Sequence, residues 1–179
     1  IVTAWNPSAY GSVLALAPGT GSIYVGGNFN GIGGAPRQNL AQVDLASGAL
    51  TSWTSDTNGQ VFALAPRGTT LIVGGQFTTI AGQARNNLAA IDAATGSATS
   101  WNPNANGLVS ALALKGETIY AGGLFSSLGG QSRSNLGAVD ATTGQVSSWN
   151  PNGNTVLALA VSDSVVYVGG KFASIGGQA

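Results

Sequence analysis

Hydrophobic positions along this chain fall in short bursts and never in a sustained helical period. One burst reads VLALA at residues 13–17 and returns as VFALA, VSALA and again VLALA. Apolar residues at consecutive positions, instead of alternate ones, predict a strand covered on both faces. A second burst, SIYVGG at 22–27, ends in a glycine pair. A third, NLAQVD at 39–44, returns as NLAAID and NLGAVD, and a fourth, ALTSW at 49–53, returns as SATSW and QVSSW. Each is rich in Val, Ile, Leu, Tyr or Trp, and turn residues separate them, so the pattern predicts four strands per unit in an all-β chain.

The unit has a fixed length. Trp5, Trp53, Trp101 and Trp149 stand 48 residues apart, and Arg37, Arg85 and Arg133 keep the same spacing, as do Asp44, Asp92 and Asp140. A period of this size belongs to propellers, solenoids or arrays. Four strands in 48 residues is the size of one β-propeller blade, and alanine alternating with Val or Leu suits the taper near a propeller axis. The expected fold is therefore an all-β propeller of 48-residue, four-stranded blades. About four repeats are present, the last incomplete, within a single domain over residues 1–179.

The turns add detail. DLASG, DAATG and DATTG each open on Asp and close on Gly; the Asp carboxylate can accept a backbone N–H, and Gly can take positive φ. These segments should join the third and fourth strands. The glycine pairs (Gly26-Gly27, Gly74-Gly75, Gly122-Gly123 and Gly169-Gly170) should mark a bulge or a close backbone approach.

Composition narrows the function. Charged residues make up 7% of the chain, six basic against six acidic, which leaves no electrostatic footprint for nucleic acid. Hydrophobic residues make up 44%, which argues against disorder. With no His and no Cys, the commonest general base, thiolate chemistry and Cys-ligated zinc are absent. No pair of carboxylates stands at a distinctive spacing, so no enzyme activity is expected. No apolar run approaches the length of a membrane span, and membrane insertion is not expected. Few charges among many Ser, Thr and Asn point to an extracellular or cell-surface bacterial protein.

The phrase YVGGxFxxIGGxxRxNLAAVDxxTGxxxxWNP, carried by residues such as Tyr24 to Phe29, Arg37 and Asp44, resembles the delta-60-type β-propeller repeats of bacterial secreted and surface proteins, and is related in blade pattern to the NHL and YVTN propellers. The resemblance implies a propeller with VLALA innermost and ALTSW outermost. It implies no single function. Repeat two departs from the pattern, with WTSDTNG where repeat three has WNPNANG and with Ala81 in place of a glycine of the IGG element.

Four periods of 48 exceed the 179 residues. Ile1 to Trp5 read as one outer strand, three whole units follow, and the last unit holds only its first two strands. Two readings follow: the chain is part of a larger propeller, or its first strand completes the last blade of a small ring. An open end would expose apolar blade faces and strand edges, and so would favour self-association through them.

Candidate sites compete with structural roles. Asn102, Asn104 and Asn106, with Asp56 in the preceding repeat, faintly match an oxygen-ligand calcium loop. The first ligand is neutral and Ala113 stands where a closing acid is needed, so an Asn-Pro and Asn-Gly turn is the stronger reading. No other metal or cofactor is expected, and the glycine pairs lack the Lys-Ser/Thr of a phosphate loop. Arg37, Arg85 and Arg133 could ring one face and bind a sugar acid, or could lock each blade by bonding carbonyls or the repeat's Asp. The tryptophans could stack on sugars or pack between blades. Asp56, Arg67, Lys115, Glu117, Asp163 and Lys171 break the repeat and read as solvated loop charges. The function expected is a structural, self-assembling or protein-interaction module; the alternative is a carbohydrate- or peptide-binding accessory domain.

Overall fold

The computed structural model describes residues 5–176, and in it the strand pattern becomes four successive antiparallel sheets. The first repeat gives β1 (Ala9–Pro18), β2 (Ser22–Ile32), β3 (Ala35–Pro36), β4 (Leu40–Asp44) and β5 (Leu50–Thr54). The second gives β6 (Gln60–Arg67), β7 (Thr70–Gln76), β8 (Thr79–Ile80), β9 (Gln83–Ala84) and β10 (Leu88–Asp92). The third gives β11 (Leu108–Lys115), β12 (Thr118–Leu124), β13 (Ser127–Leu128), β14 (Gln131–Ser132) and β15 (Leu136–Asp140). The last gives β16 (Thr155–Val161) and β17 (Val166–Lys171). Within each sheet the strands run in chain order: β1-β2-β4-β5, then β6-β7-β10, β11-β12-β15 and β16-β17.

First strands of successive sheets lie side by side, β1 with β6, β6 with β11 and β11 with β16. They therefore sit nearest a common axis, and the sheets radiate from it as propeller blades. The core lies between blades. One cluster joins Tyr24, Leu40 and Trp53 of the first blade to Val61, Leu71 and Val73 of the second; another joins Ile72, Leu88 and Trp101 of the second to Val109, Ile119 and Val139 of the third. Among the described residues, no comparable packing joins β16 back to β1, so the four blades form an open arc. The predicted strand at residues 1–4, and with it the closure of the last blade, lies outside the described residues.

The strands buried on both faces are not the ones expected. β7 holds Leu71 to Gly75 and β10 holds Leu88 to Ile91 in unbroken burial, whereas β6 and β11 alternate buried with half-buried positions, and β1 and β16 are largely exposed. The reason is position. β7 has a hydrogen-bonded strand on each side and a blade against each face, while β6 and β11 are the axial edges of their sheets.

Among the described residues the fourth strand is complete only in the first blade. β5 pairs with β4 from Leu50 to Thr54 across a bulge, but the later outer segments meet the third strand at single bridges, Ile91 with Ala98 and Val139 with Val146. The sequence difference that tracks this lies just beyond the tryptophan. Ser55 follows Thr54, whereas Pro103 and Pro151 follow the equivalent Asn102 and Asn150, and proline brings no N–H to a ladder. The glycine pairs behave as expected: a bulge in the first strand faces each of them, as at Val13/Ala15 opposite Gly27/Gly26.

A small hairpin between the second and third strands, β8-β9 and β13-β14, was not legible as strand. Its turn needs two successive residues at positive φ, supplied by Gly33-Gly34, Ala81-Gly82 and Gly129-Gly130. A β-carbon at Gly33 would lie 2.9 Å from Cβ of Leu50, and one at Gly129 would collide with Val146. In the second repeat the facing residue is Ala98, which is why Ala81 fits there. Ala81 still occupies the left-handed region, φ 49°, at a cost of about 1 kcal/mol.

A double-mutant cycle checks this pairing. Ala81→Gly alone is expected to raise the melting temperature slightly. Ala98→Val alone is expected to cost about 1–3 kcal/mol by overpacking, and Ala98→Val in the Ala81→Gly background much less. Equal costs for Ala98→Val in both backgrounds, measured by urea unfolding, would refute the steric coupling.

Candidate functional site

The polar side chains that recur with the repeat converge on the seams between blades. Asn39 and Asn87 are buried and Asn135 half-buried, each held at φ 63–64° just before a third strand. The amide oxygen of each accepts from the backbone N–H of Phe29, Phe77 or Phe125, respectively, at 2.8–3.2 Å. The amide nitrogen donates 18 residues ahead to the carbonyl of Thr57, Ala105 or Gly153, in the segment that leads into the next blade. One side chain thus closes its own blade's corner and ties down the following loop. These asparagines were missed as special positions. The signal was present in the unvarying Asn-Leu at the head of every third strand.

Tryptophans work along the same seams. Trp53 and Trp101 are buried in the inter-blade clusters. The indole N–H of Trp5 donates to the carbonyl of Asp44 at 3.2 Å and that of Trp101 to the carbonyl of Asp140 at 3.0 Å, each reaching into the next blade. Trp53 meets Tyr24, and Trp149 meets Tyr120, edge to face at centroid distances of 5.4 and 5.2 Å. These are packing contacts, and Trp53 and Trp101 present no open ring face to a sugar.

Asp44, Asp92 and Asp140 close the hairpins after the third strands. Each carboxylate accepts from two backbone N–H groups and one hydroxyl of its own turn, as Asp44 does from Ala46, Ser47 and the Ser47 hydroxyl at 3.1, 2.7 and 2.6 Å. Donors to the charged form hold all three carboxyls below their ordinary pKa. The Ser47 hydroxyl leads at Asp44, and the backbone N–H groups of Thr95 and Thr143 lead at Asp92 and Asp140. Arg37, Arg85 and Arg133 reach carbonyls, not these acids: each bonds the carbonyl one residue back and that of Thr51, Thr99 or Ser147 on the outer segment.

The calcium candidates are engaged elsewhere. The Asn106 amide oxygen accepts from the N–H groups of Ser126 and Ser127, Asn104 accepts from Asn86, and Asp56 accepts from the Gln38 N–H. Asn102 is exposed. Among the described residues, no three His, Cys, Asp or Glu side chains come together. Asn58 plugs the corner at Thr78-Thr79 as Asn106 does at Ser126-Ser127, but Tyr10 stands at that position in the first repeat, and there β2 runs unbroken to Ile32.

Three repeat-breaking charges are more than solvated loops. Arg67 pairs with Glu117, and both reach the Thr142 hydroxyl, which bridges the second and third blades; Lys115 likewise donates to the carbonyl of Ser162 in the fourth. Between the first two blades Gly19 and Thr69 replace Arg67 and Glu117, so no equivalent ion pair forms there, and the Tyr24 hydroxyl donates across to the carbonyl of Ala93 at 3.3 Å. A cavity of about 400 Å³ opens there, lined by Thr20, Tyr24, Gln42, Thr69 and Thr70 among others.

Blade geometry and sequence agree with the comparisons. A family model described as a beta-propeller domain of unknown function (DUF5122) matches residues 19–50 and 70–93, which hold the second and third strands of the first blade and the second and third of the next. The chain is thus a β-propeller repeat protein. No curated protein matches it. Among solved structures, the computationally designed Ika4 protein is similar with a TM-score of 0.64 at 18% identity, over 95% of this chain and 92% of that one. The computationally designed Ika8 protein is similar with a TM-score of 0.60 at 18% identity, over 92% of this chain and 44% of that one. Both likenesses speak to fold alone.

Asn87→Ala leaves the Phe77 N–H and the Ala105 carbonyl buried without partners, and should cost roughly 3 kcal/mol in urea unfolding. A loss under 1 kcal/mol would show that the bonds are dispensable. The turn aspartates give the chain an acid limb. Because their folded pKa lies below the unfolded value, their stabilisation is complete above the unfolded value and disappears as pH falls through the folded one. Replacing Asp44, Asp92 and Asp140 together by Asn should flatten the fall of the urea midpoint below about pH 4. An unchanged pH profile would place the acid sensitivity elsewhere.

Proposed function

We propose that this chain is a non-enzymatic structural and protein-interaction module of the delta-60 propeller type, working at the bacterial cell exterior. One observation carries the reading. The recurring Asn, Asp, Arg and Trp side chains are used within and between blades, while the apolar faces of the two end blades have no partner among the described residues. Tyr10, Leu14 and Leu16 on the first blade and Leu157 and Tyr167 on the last are exposed large apolar side chains. Contiguous apolar surface of this kind marks interaction sites. The low charge and the lack of His and Cys fit a scaffold outside the cell better than a catalyst.

The test compares wild type with a Leu16→Glu/Tyr167→Glu variant in the native setting. Wild type is expected in a particle heavier than its own chain on size-exclusion of cell-surface extracts, and the variant, with an unchanged circular dichroism spectrum, at chain mass. Identical elution of the two would overturn the reading. Antibodies against the chain should label intact cells.

The seam cavity between the first two blades favours a second reading, in which the chain also binds a neutral glycan. Its lining offers hydroxyls and an amide with no charged side chain. A glycan screen should then find saturable binding that Thr69→Trp, at the exposed mouth, abolishes; no binding, or binding indifferent to that substitution, would remove this reading.

A further inference from the structure

Every seam in the arc is built by one contact. Val61 of the second blade lies over Gly26 of the first, so close that a β-carbon on the glycine would come within 2.5 Å of Cγ1 of the valine, with Cδ1 of Leu64 at 3.3 Å beside it. Val109 and Leu112 lie over Gly74 in the same way, and Val156 and Leu159 over Gly122. The three valines are fully buried by this seating. A blade therefore has two different faces: a projecting Val and Leu from its first strand, and a receiving glycine from its second.

Among the described residues each face occurs once without its complement. On the first blade Val13 and Leu16, equivalent to Val61 and Leu64, are 42% and 61% exposed. On the last blade a β-carbon at Gly169 would meet only its own blade, with Cβ of Ala158 at 3.5 Å, and Tyr167 is 57% exposed where the equivalent Tyr24 is 4%. The vacant seat and the free projection carry the same residue types as the three filled seams. They lie on one chain, at opposite ends of an arc in which, among the described residues, β16 makes no packing with β1 comparable to the three seams.

We propose that a second copy of this chain occupies these faces, with Val13 and Leu16 of one copy seated on Gly169 of the other, so that the inter-blade seam continues head to tail between molecules. This inference rests on the reading of the chain as an interaction module and names its partner. The contact is heterologous, because two different surfaces meet; such contacts close into a ring when the rotation permits. β1 carries no charged residue and β17 only Lys171 at its end, so like charges do not oppose docking, and burial of Val, Leu and Tyr supplies the driving force.

The test uses the purified 179-residue chain in sedimentation velocity and native mass spectrometry. Wild type is expected at two or more times the 17.6 kDa chain mass. Gly169→Val blocks the seat without a clash inside its own blade, and Leu16→Glu spoils the projection at an exposed site. Each variant alone should therefore be limited to 17.6 kDa while keeping its circular dichroism spectrum and melting temperature. Mixing the two variants should restore a single one-to-one heterodimer, since one retains the projection and the other the seat. That outcome separates a head-to-tail contact from a symmetric one. A wild-type monomer at high concentration, association that survives Gly169→Val, or variants that fail to complement would each overturn the inference. A monomeric purified chain that still enters a heavier particle at the cell surface would leave the module reading standing, with a different protein as its partner.

Discussion

The seating of a valine on a glycine sets the distance between blades, and most of the structure follows from it. No side chain can occupy the glycine position, because Cγ1 of the next blade's valine is already there. The sheets therefore approach at that point closer than side-chain layers usually allow, and the neighbouring leucine fills the space alongside. The bulge opposite each glycine pair fits this arrangement. It bends the axial strand and strengthens its local twist just where it meets the next blade.

Apolar seating fixes spacing but not rotation of one blade against the next. The asparagine and tryptophan contacts supply the rest. Each asparagine fastens its own corner and the backbone of the following loop, and Trp5 and Trp101 reach the turn of the following blade. Buried polar groups of this kind are costly when unpaired and directional when paired, so they select one rotation among those that apolar packing would accept. Surface pairs such as Arg67–Glu117 add little energy in water, but that pair covers the seam between the second and third blades, whereas a cavity opens at the equivalent place between the first two.

The period, the strand content and the turns were legible because each is a local property: a glycine that needs positive φ, an aspartate that caps its own turn, a run of branched residues. What escaped was decided between elements. VLALA reads as a doubly covered strand, yet coverage depends on its place in the sheet, and an axial edge facing an open arc is covered on fewer sides. SATSW and QVSSW read as strands by composition, but they lie beside a proline that ALTSW lacks. Asn87 looks like an ordinary polar residue before a strand until the chain brings the carbonyl of Ala105 to its amide. Arg67 and Glu117 are 50 residues apart, and only the blade stagger puts them together.

The asparagine staple also has a direction. The corner bond is made within the blade, but the acceptor of the amide nitrogen lies 18 residues downstream, so that donor stays unpaired until the beginning of the next blade has been made. A ribosome delivers the chain in that same order. Each repeat would emerge with one amide donor still waiting and be satisfied within the next stretch of synthesis, long before the whole protein is released. Assembly of the arc is in this sense a relay along the message: every blade holds the door for its successor, and a chain halted at any repeat would leave only its latest amide donor unpaired.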